Sequence, residues 1–90
     1  MIEYMIIPSI STGHLTQNVA AELGERGDSN GWTTCAAYEH GFFLYVDYLE
    51  GNAPQCLKDI GEWLSENHEP GWIRLDRDAP AVEGLPLYAW

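Results

Sequence analysis

The stretch TTCAAYEHGFFLYVDY, residues 33–48, decides the fold of this 90-residue chain. Two runs rich in β-branched and aromatic residues, 33–38 and 42–48, flank a three-residue segment that ends at Gly41. This spacing predicts a β-hairpin with Gly41 in the left-handed conformation. Side chains alternate between the two faces of a strand, so one face of the second run carries Phe42, Leu44, Val46 and Tyr48. The other face still carries two rings, so the sheet is predicted to be covered or used on both sides.

Two elements precede the hairpin. Residues 3–10 are rich in strand-forming side chains and predict a first strand that ends or bulges at Pro8. Apolar residues then recur at helical spacing and predict a helix over residues 16–26, with Thr16 as its N-cap and Gly27 as its end.

The clearest helix follows the hairpin. Pro54 stands near its first turn, where the missing N–H is harmless. One stripe of this helix is apolar, and three acids fall almost opposite, at Asp59, Glu62 and Glu66. Residues 72–76 alternate as a last strand. Residues 78–90 contain two prolines and a glycine, so we predict an irregular tail, although its end is too apolar to remain in water.

The predicted order is therefore β-α-β-β-α-β, in a single domain over residues 1–90. This order is typical of an α+β, ferredoxin-like split βαβ sandwich. That architecture places two helices on one face of a four-stranded antiparallel sheet, and here an irregular apolar C-terminal tail is added to it.

The composition is strongly acidic. Fourteen acids against four bases give a net charge of −10, which repels phosphates and argues against direct binding to nucleic acid or to an anionic membrane. No apolar run is long enough to span a bilayer, and the apolar start lacks the features of a signal peptide. Two cysteines 21 residues apart predict two buried free thiols in a reducing cytoplasm.

Half of this charge lies in one part of the chain. Residues 47–69 hold six acids and one base, and Trp63 lies about 120° from the apolar stripe of the helix, at the edge of its acidic face. A solvated face that keeps the protein soluble is one interpretation. The functional interpretation is a docking surface for a protein partner with a basic surface. Its predicted contact residues are Asp59, Glu62, Trp63 and Glu66.

Two other classes of function stay open. A small-ligand or enzymatic site would lie at one end of the sheet, near His14, Arg74, Asp76 and Arg77. A homodimer would use the aromatic side chains of Trp72 and Trp90.

No catalytic residue, metal or cofactor is predicted. The three histidines and two cysteines match no zinc spacing, and no glycine-rich phosphate loop occurs. Ser11 and Thr12 stand beside His14, but a nucleophile also needs a third partner and oxyanion donors that the sequence does not identify. We therefore predict that one of these hydroxyls satisfies the backbone of a turn.

Three segments carry a resemblance to a known family, namely 8–16, 41–46 and the end of the chain from Asp76 to Trp90. Together they are similar to a domain-of-unknown-function family of short bacterial proteins, often borne on plasmids or mobile elements. The chain departs from that pattern at Ala79, where a glycine is expected. The resemblance implies a small cytoplasmic accessory protein. It implies no particular activity.

Overall fold

The computed structural model of the chain describes all 90 residues as an α+β fold with two helices and a four-stranded mixed sheet. The main elements are β1 (Ser9–Ser11), α1 (Gln17–Arg26), β2 (Thr34–Tyr38), β3 (Gly41–Tyr45), α2 (Gln55–Asn67) and β4 (Trp72–Asp76). Short 3₁₀ turns cover Thr12–His14 and Gly27–Ser29. The predicted order of strands and helices along the chain is confirmed. Neither α1 nor α2 has the length and apolar character that crossing a membrane requires.

The arrangement of the strands in the sheet corrects the prediction. The order is β1-β4-β3-β2, and β1 runs parallel to β4, so the sheet is neither ferredoxin-like nor fully antiparallel. β3 is flanked by β2 and β4, so β1 can join only an outer edge. The outer edge of β2 is partly occupied, because the N–H of Cys35 donates to Asp28 Oδ1 at 3.1 Å. The free edge of β4 is therefore where β1 pairs.

The first strand is shorter than predicted. Only Ser9–Ser11 is strand, and residues 1–8 have no regular structure. In the parallel register Ser9 lies opposite Arg74, so Ile7 would lie opposite the first residue of β4. Residues before Ile7 extend past the sheet and have no strand to pair with. They therefore do not form a strand, although their side chains favour one.

The hairpin forms where it was predicted, but its glycine has another role. Gly41 is the first residue of β3 and is not among the glycines with positive φ. It is required by a close approach, because a Cβ built on it would lie 1.8 Å from the carbonyl oxygen of Leu75. β3 ends at Tyr45, and after Val46 donates its N–H to Gly71 the chain leaves the sheet. Tyr48 is consequently exposed, and not in the core as its alternation predicted.

Both helices pack against the same face of the sheet and form one core with it. α1 runs over the predicted residues and ends at Gly27, although Thr16 makes no capping bond. The core contains 14 residues, namely Ile10, Leu15, Val19, Leu23, Cys35, Phe42, Leu44, Val46, Cys56, Leu57, Ile60, Leu64, Ile73 and Leu75. No helix covers the opposite face of the sheet, which we call the open face.

Candidate functional site

The acids of α2 are presented to solvent because the apolar stripe of this helix is buried. Cys56, Leu57, Ile60 and Leu64 face the core. Their spacing leaves Asp59, Glu62 and Glu66 on the other side of the helix, as the sequence predicts.

These acids line a groove and do not lie on a flat face. A cavity of about 660 Å³ separates α2 from the C-terminal segment. We call it the acidic groove, and its lining residues are Asp59, Glu62, Trp63, Glu66, Asn67, Glu83, Gly84 and Pro86. The structure thus brings all four predicted partner-binding residues together. It adds Glu83, which sequence reasoning missed because it lies 17 residues beyond Glu66 in a segment without regular structure.

The second wall of the groove is held in place by His14. This side chain is only 2% exposed. Its Nδ1 donates to the carbonyl oxygen of Pro86 at 2.8 Å, and its Nε2 accepts the N–H of Val82 at 3.0 Å. These two bonds require the neutral ring with its proton on Nδ1. His14 therefore fixes the segment that carries Glu83 against the body of the protein.

Further bonds hold the end of the chain. Tyr88 donates its N–H to the carbonyl of Gly13, and Trp90 Nε1 donates to the carbonyl of Leu15 at 2.9 Å. The predicted tail is irregular in backbone but attached to the residues around the first 3₁₀ turn.

Trp63 lies at the boundary between the groove and the core. Its ring is partly buried against core residues, and its centroid lies 5.2 Å from that of the His68 ring. Gly84 approaches the indole closely, since a Cβ on Gly84 would lie 3.5 Å from Trp63 Cδ1. The φ of Gly84 is 93°, a conformation that favours glycine. The tryptophan is thus held in a fixed position beside four carboxylates.

No base of the protein forms an ion pair with an acid of the groove, although Lys58 lines a neighbouring cavity together with Glu62. The close contacts between basic and acidic side chains join Arg26 to Glu22, His40 to Glu39 and Arg77 to Asp78. Lys58, the one base of α2, directs its Nζ to the carbonyl of Gly51 at 3.4 Å. Asp59 accepts a hydrogen bond from Gln55 Nε2, and this partner is uncharged. The groove therefore carries four carboxylates without a cationic partner in the chain.

The alternative site residues do not share a cavity. His14 is buried beneath the C-terminal segment. Arg74 lies on the open face, where its Nε donates to Ser9 Oγ at 2.8 Å. Asp76 is buried at the end of β4, and Arg77 lines a separate groove beside α1 with Trp90. Of these four side chains, only Arg77 lines any of the five cavities of the structure.

Asp76 has a local partner instead. The hydroxyl of Tyr38 donates to Asp76 Oδ2, and the N–H of Asp78 donates to Oδ1 at 2.8 Å. The Tyr38 hydrogen bond, helped by that N–H, holds the pKa of the Asp76 carboxyl below its usual range. Burial and the same carboxylate raise the pKa of Tyr38. The pair ties β2 to the end of β4 across β3.

This pair predicts a pH dependence. A carboxyl whose pKa is lower in the folded state stabilises the fold above its unfolded pKa of about 3.9, and this stabilisation is lost as the pH falls through the lower folded value. Tyr38→Phe keeps the ring beside Phe43 and removes the hydroxyl. We expect the variant to be less stable than the wild type at pH 7, with a difference that shrinks below about pH 4. Urea denaturation at pH 7, 5 and 3 measures this, and a constant difference would contradict it.

The remaining reactive side chains are occupied or buried. Ser11 Oγ accepts the N–H of Gly13 at 3.0 Å, which confirms the predicted turn role. Cys35 and Cys56 are free and buried, and burial, with the Asp28 carboxylate, raises the pKa of the Cys35 thiol to about 11. No three histidine, cysteine or acidic side chains are grouped so as to hold a metal ion.

Fold and site define a small α+β domain with an acidic groove on its helical side and an uncovered sheet face. The chain belongs to the family of unknown function DUF5983, since residues 7–90 match the model of the family's C-terminal domain. The resemblance to a domain-of-unknown-function family is thereby confirmed. No curated protein and no solved structure matches the chain significantly.

Proposed function

We propose that this chain is a non-enzymatic protein-interaction domain that binds a basic segment of a partner protein in the acidic groove. The observation that carries the proposal is the convergence of Asp59, Glu62, Glu66 and Glu83 on one cavity, with none of the four carboxylates in an ion pair. A surface that served only solubility would normally mix both signs of charge. Four carboxylates facing one another in a concave site repel one another, and a cationic side chain between them relieves that repulsion.

Trp63 gives the groove an apolar contact in addition to its charge. An arginine or lysine side chain in the cavity can lie against the indole, and a cation over a tryptophan ring gains about 0.5–2 kcal/mol. Charge accelerates association, and a fixed aromatic ring that lines the groove slows dissociation. The groove therefore fits an extended basic segment better than a single cation.

In its sharper form, the proposal is that the partner is a nucleic-acid-binding protein whose basic groove this domain occupies. The acids of α2 would then stand where phosphates stand in the partner's nucleic-acid complex. Such a regulator suits the small cytoplasmic accessory protein, carried on a plasmid or mobile element, that the resemblance implies.

The proposal is tested with an eight-residue peptide of alternating lysine and arginine. We expect its affinity to fall about tenfold between roughly 50 and 300 mM salt, because exposed charges are increasingly screened. Neutralising the groove with Asp59→Asn, Glu62→Gln and Glu66→Gln should weaken binding at low salt by about tenfold or more.

The matched control removes the same number of charges elsewhere. Glu25→Gln, Glu39→Gln and Glu50→Gln are exposed and lie outside the acidic groove, and either triple variant has a net charge of −7. At roughly 150 mM salt the control should bind within about threefold of the wild type, since only local charge matters at a Debye length near 8 Å. Equal losses in both variants would show that net charge alone drives binding and would overturn the proposal.

A further inference from the structure

The open face of the sheet is aromatic and nearly free of acids. Alternation from the buried Ile73 and Leu75 places Trp72, Arg74 and Asp76 on this face. Two ring pairs lie on it: the rings of Tyr38 and Phe43 are 5.4 Å apart, and those of Tyr45 and Trp72 are 5.3 Å apart. Asp76 is the one acid that the strands place here, and it is buried and hydrogen-bonded. In a molecule of net charge −10, a second copy therefore meets few exposed acids at this face.

Arg74 is the central cation of the open face. It lies opposite Phe43 on one side and opposite Ser9 on the other. Its Nε donates to Ser9 Oγ at 2.8 Å, and neither terminal nitrogen makes a hydrogen bond or an ion pair within the chain, although the positive charge of Arg74 helps to lower the pKa of the nearby Asp76 carboxyl. A guanidinium presented in this way binds a carboxylate with two parallel hydrogen bonds. An occupant of this face should therefore offer a carboxylate flanked by apolar side chains.

Residues 1–7, which we call the N-terminal arm, have that composition. The arm reads Met-Ile-Glu-Tyr-Met-Ile-Ile, and its side chains Met1, Ile2, Tyr4, Met5 and Ile6 are all at least 63% exposed. Part of it reaches Trp72, because arm residues line a cavity of about 330 Å³ together with Glu69, Pro70 and Trp72. Glu3 is the one charged side chain of the arm. Apolar exposure of this extent marks an interaction surface.

We propose that two copies of this chain associate through their open faces and exchange N-terminal arms, with Glu3 of each copy paired with Arg74 of the other. The arm is apolar at both even and odd positions, which suits a segment buried on two sides. Each exchanged arm lies between the two facing sheets. The sheet of its own chain covers one side of the arm, and the sheet of the other copy covers the opposite side.

The area of contact also requires the arm. Three strands of five residues and one of three present roughly 300 Å² of flat surface, whereas a stable interface buries about 800 Å² per partner. The exchanged arms, each with five large exposed side chains, provide the remaining area. None of the residues that line the acidic groove lies on the open face, so this proposal stands or fails independently of the proposed function.

Sedimentation of the full chain with reversed charges tests the exchange. The wild type should form a dimer of the 10.1 kDa chain. Glu3→Arg should weaken the dimer at least tenfold, although it lowers the net negative charge and would strengthen association driven by general electrostatics. Arg74→Glu should weaken it as well, and the double variant, with the wild-type net charge, should restore dimerisation.

The control variant is Glu25→Arg, which makes the same charge change on the exposed face of α1 and should not weaken the dimer. Arg74→Gln, which adds no buried negative charge, should also weaken association if Arg74→Glu fails to fold. A single 10 kDa species at all concentrations up to about 0.5 mM would overturn the proposal, as would a dimer that the charge reversals leave unchanged or that the double variant does not restore.

Discussion

Replacing His14 by alanine is expected to lower the free energy of unfolding by about 2–4 kcal/mol. The ring is 2% exposed, so its removal leaves a cavity, and both of its nitrogens bond the C-terminal segment. Without them, the N–H of Val82 and the carbonyl of Pro86 lose their partners. The segment that carries Glu83 is then released from the body of the protein, and one wall of the acidic groove is lost with it.

Urea denaturation followed by tryptophan fluorescence measures this loss. Amide hydrogen exchange of residues 80–90 in the variant shows directly whether the segment opens before the rest of the fold. The matched control is His68→Ala, because His68 is exposed and makes no hydrogen bond through its side chain, so its loss should change stability by less than about 0.5 kcal/mol. A His14 variant as stable as the His68 variant would show that the histidine does not hold the segment.

Replacing Gly41 by alanine is expected to be at least as damaging, with a loss of about 4 kcal/mol or more. The added Cβ would lie 1.8 Å from the carbonyl oxygen of Leu75 and 2.8 Å from its carbonyl carbon. Both atoms belong to the backbone of β4, so no side chain can move to make room. The central β3–β4 pairing must separate, and this pairing joins the hairpin to the rest of the sheet.

The control is the same substitution in α1. A Cβ on Gly24 would have only the Phe42 ring near it, at 3.9 Å, which is ordinary contact. Gly24→Ala should therefore raise stability by about 0.5–1 kcal/mol, because alanine is favoured over glycine in a helix. Thermal denaturation of both variants measures the contrast. Similar changes in stability for the two substitutions would contradict the close approach of Gly41 to the backbone of β4.

The parts of the fold that the sequence predicts are those set by local pattern. The stripe of α2 and the alternation of β3 give each element its buried face without reference to the rest of the chain. The position of β1 depends on which sheet edge remains free, and that depends on Asp28 and on the β3–β4 pairing. The order of elements is the same in either arrangement, so no pattern within the chain distinguishes them.

The residues of the candidate site also divide into those that local pattern predicts and one that it does not. Asp59, Glu62, Trp63 and Glu66 follow from one helical repeat and were predictable together. Glu83 joins them only because His14, a residue with a chemical role in the sequence-based alternative, instead fixes the C-terminal segment beside α2. A bond between residues 72 positions apart leaves no trace in local spacing.

The most direct test of the acidic groove is an amide NMR titration of the full chain with the lysine–arginine peptide at low salt. Binding in the groove predicts shifts concentrated in residues 59–67 and 83–86, saturating with one peptide per chain and absent from the groove-neutral triple variant. Shifts spread over all acidic surfaces, or concentrated on the open face of the sheet, would contradict the account.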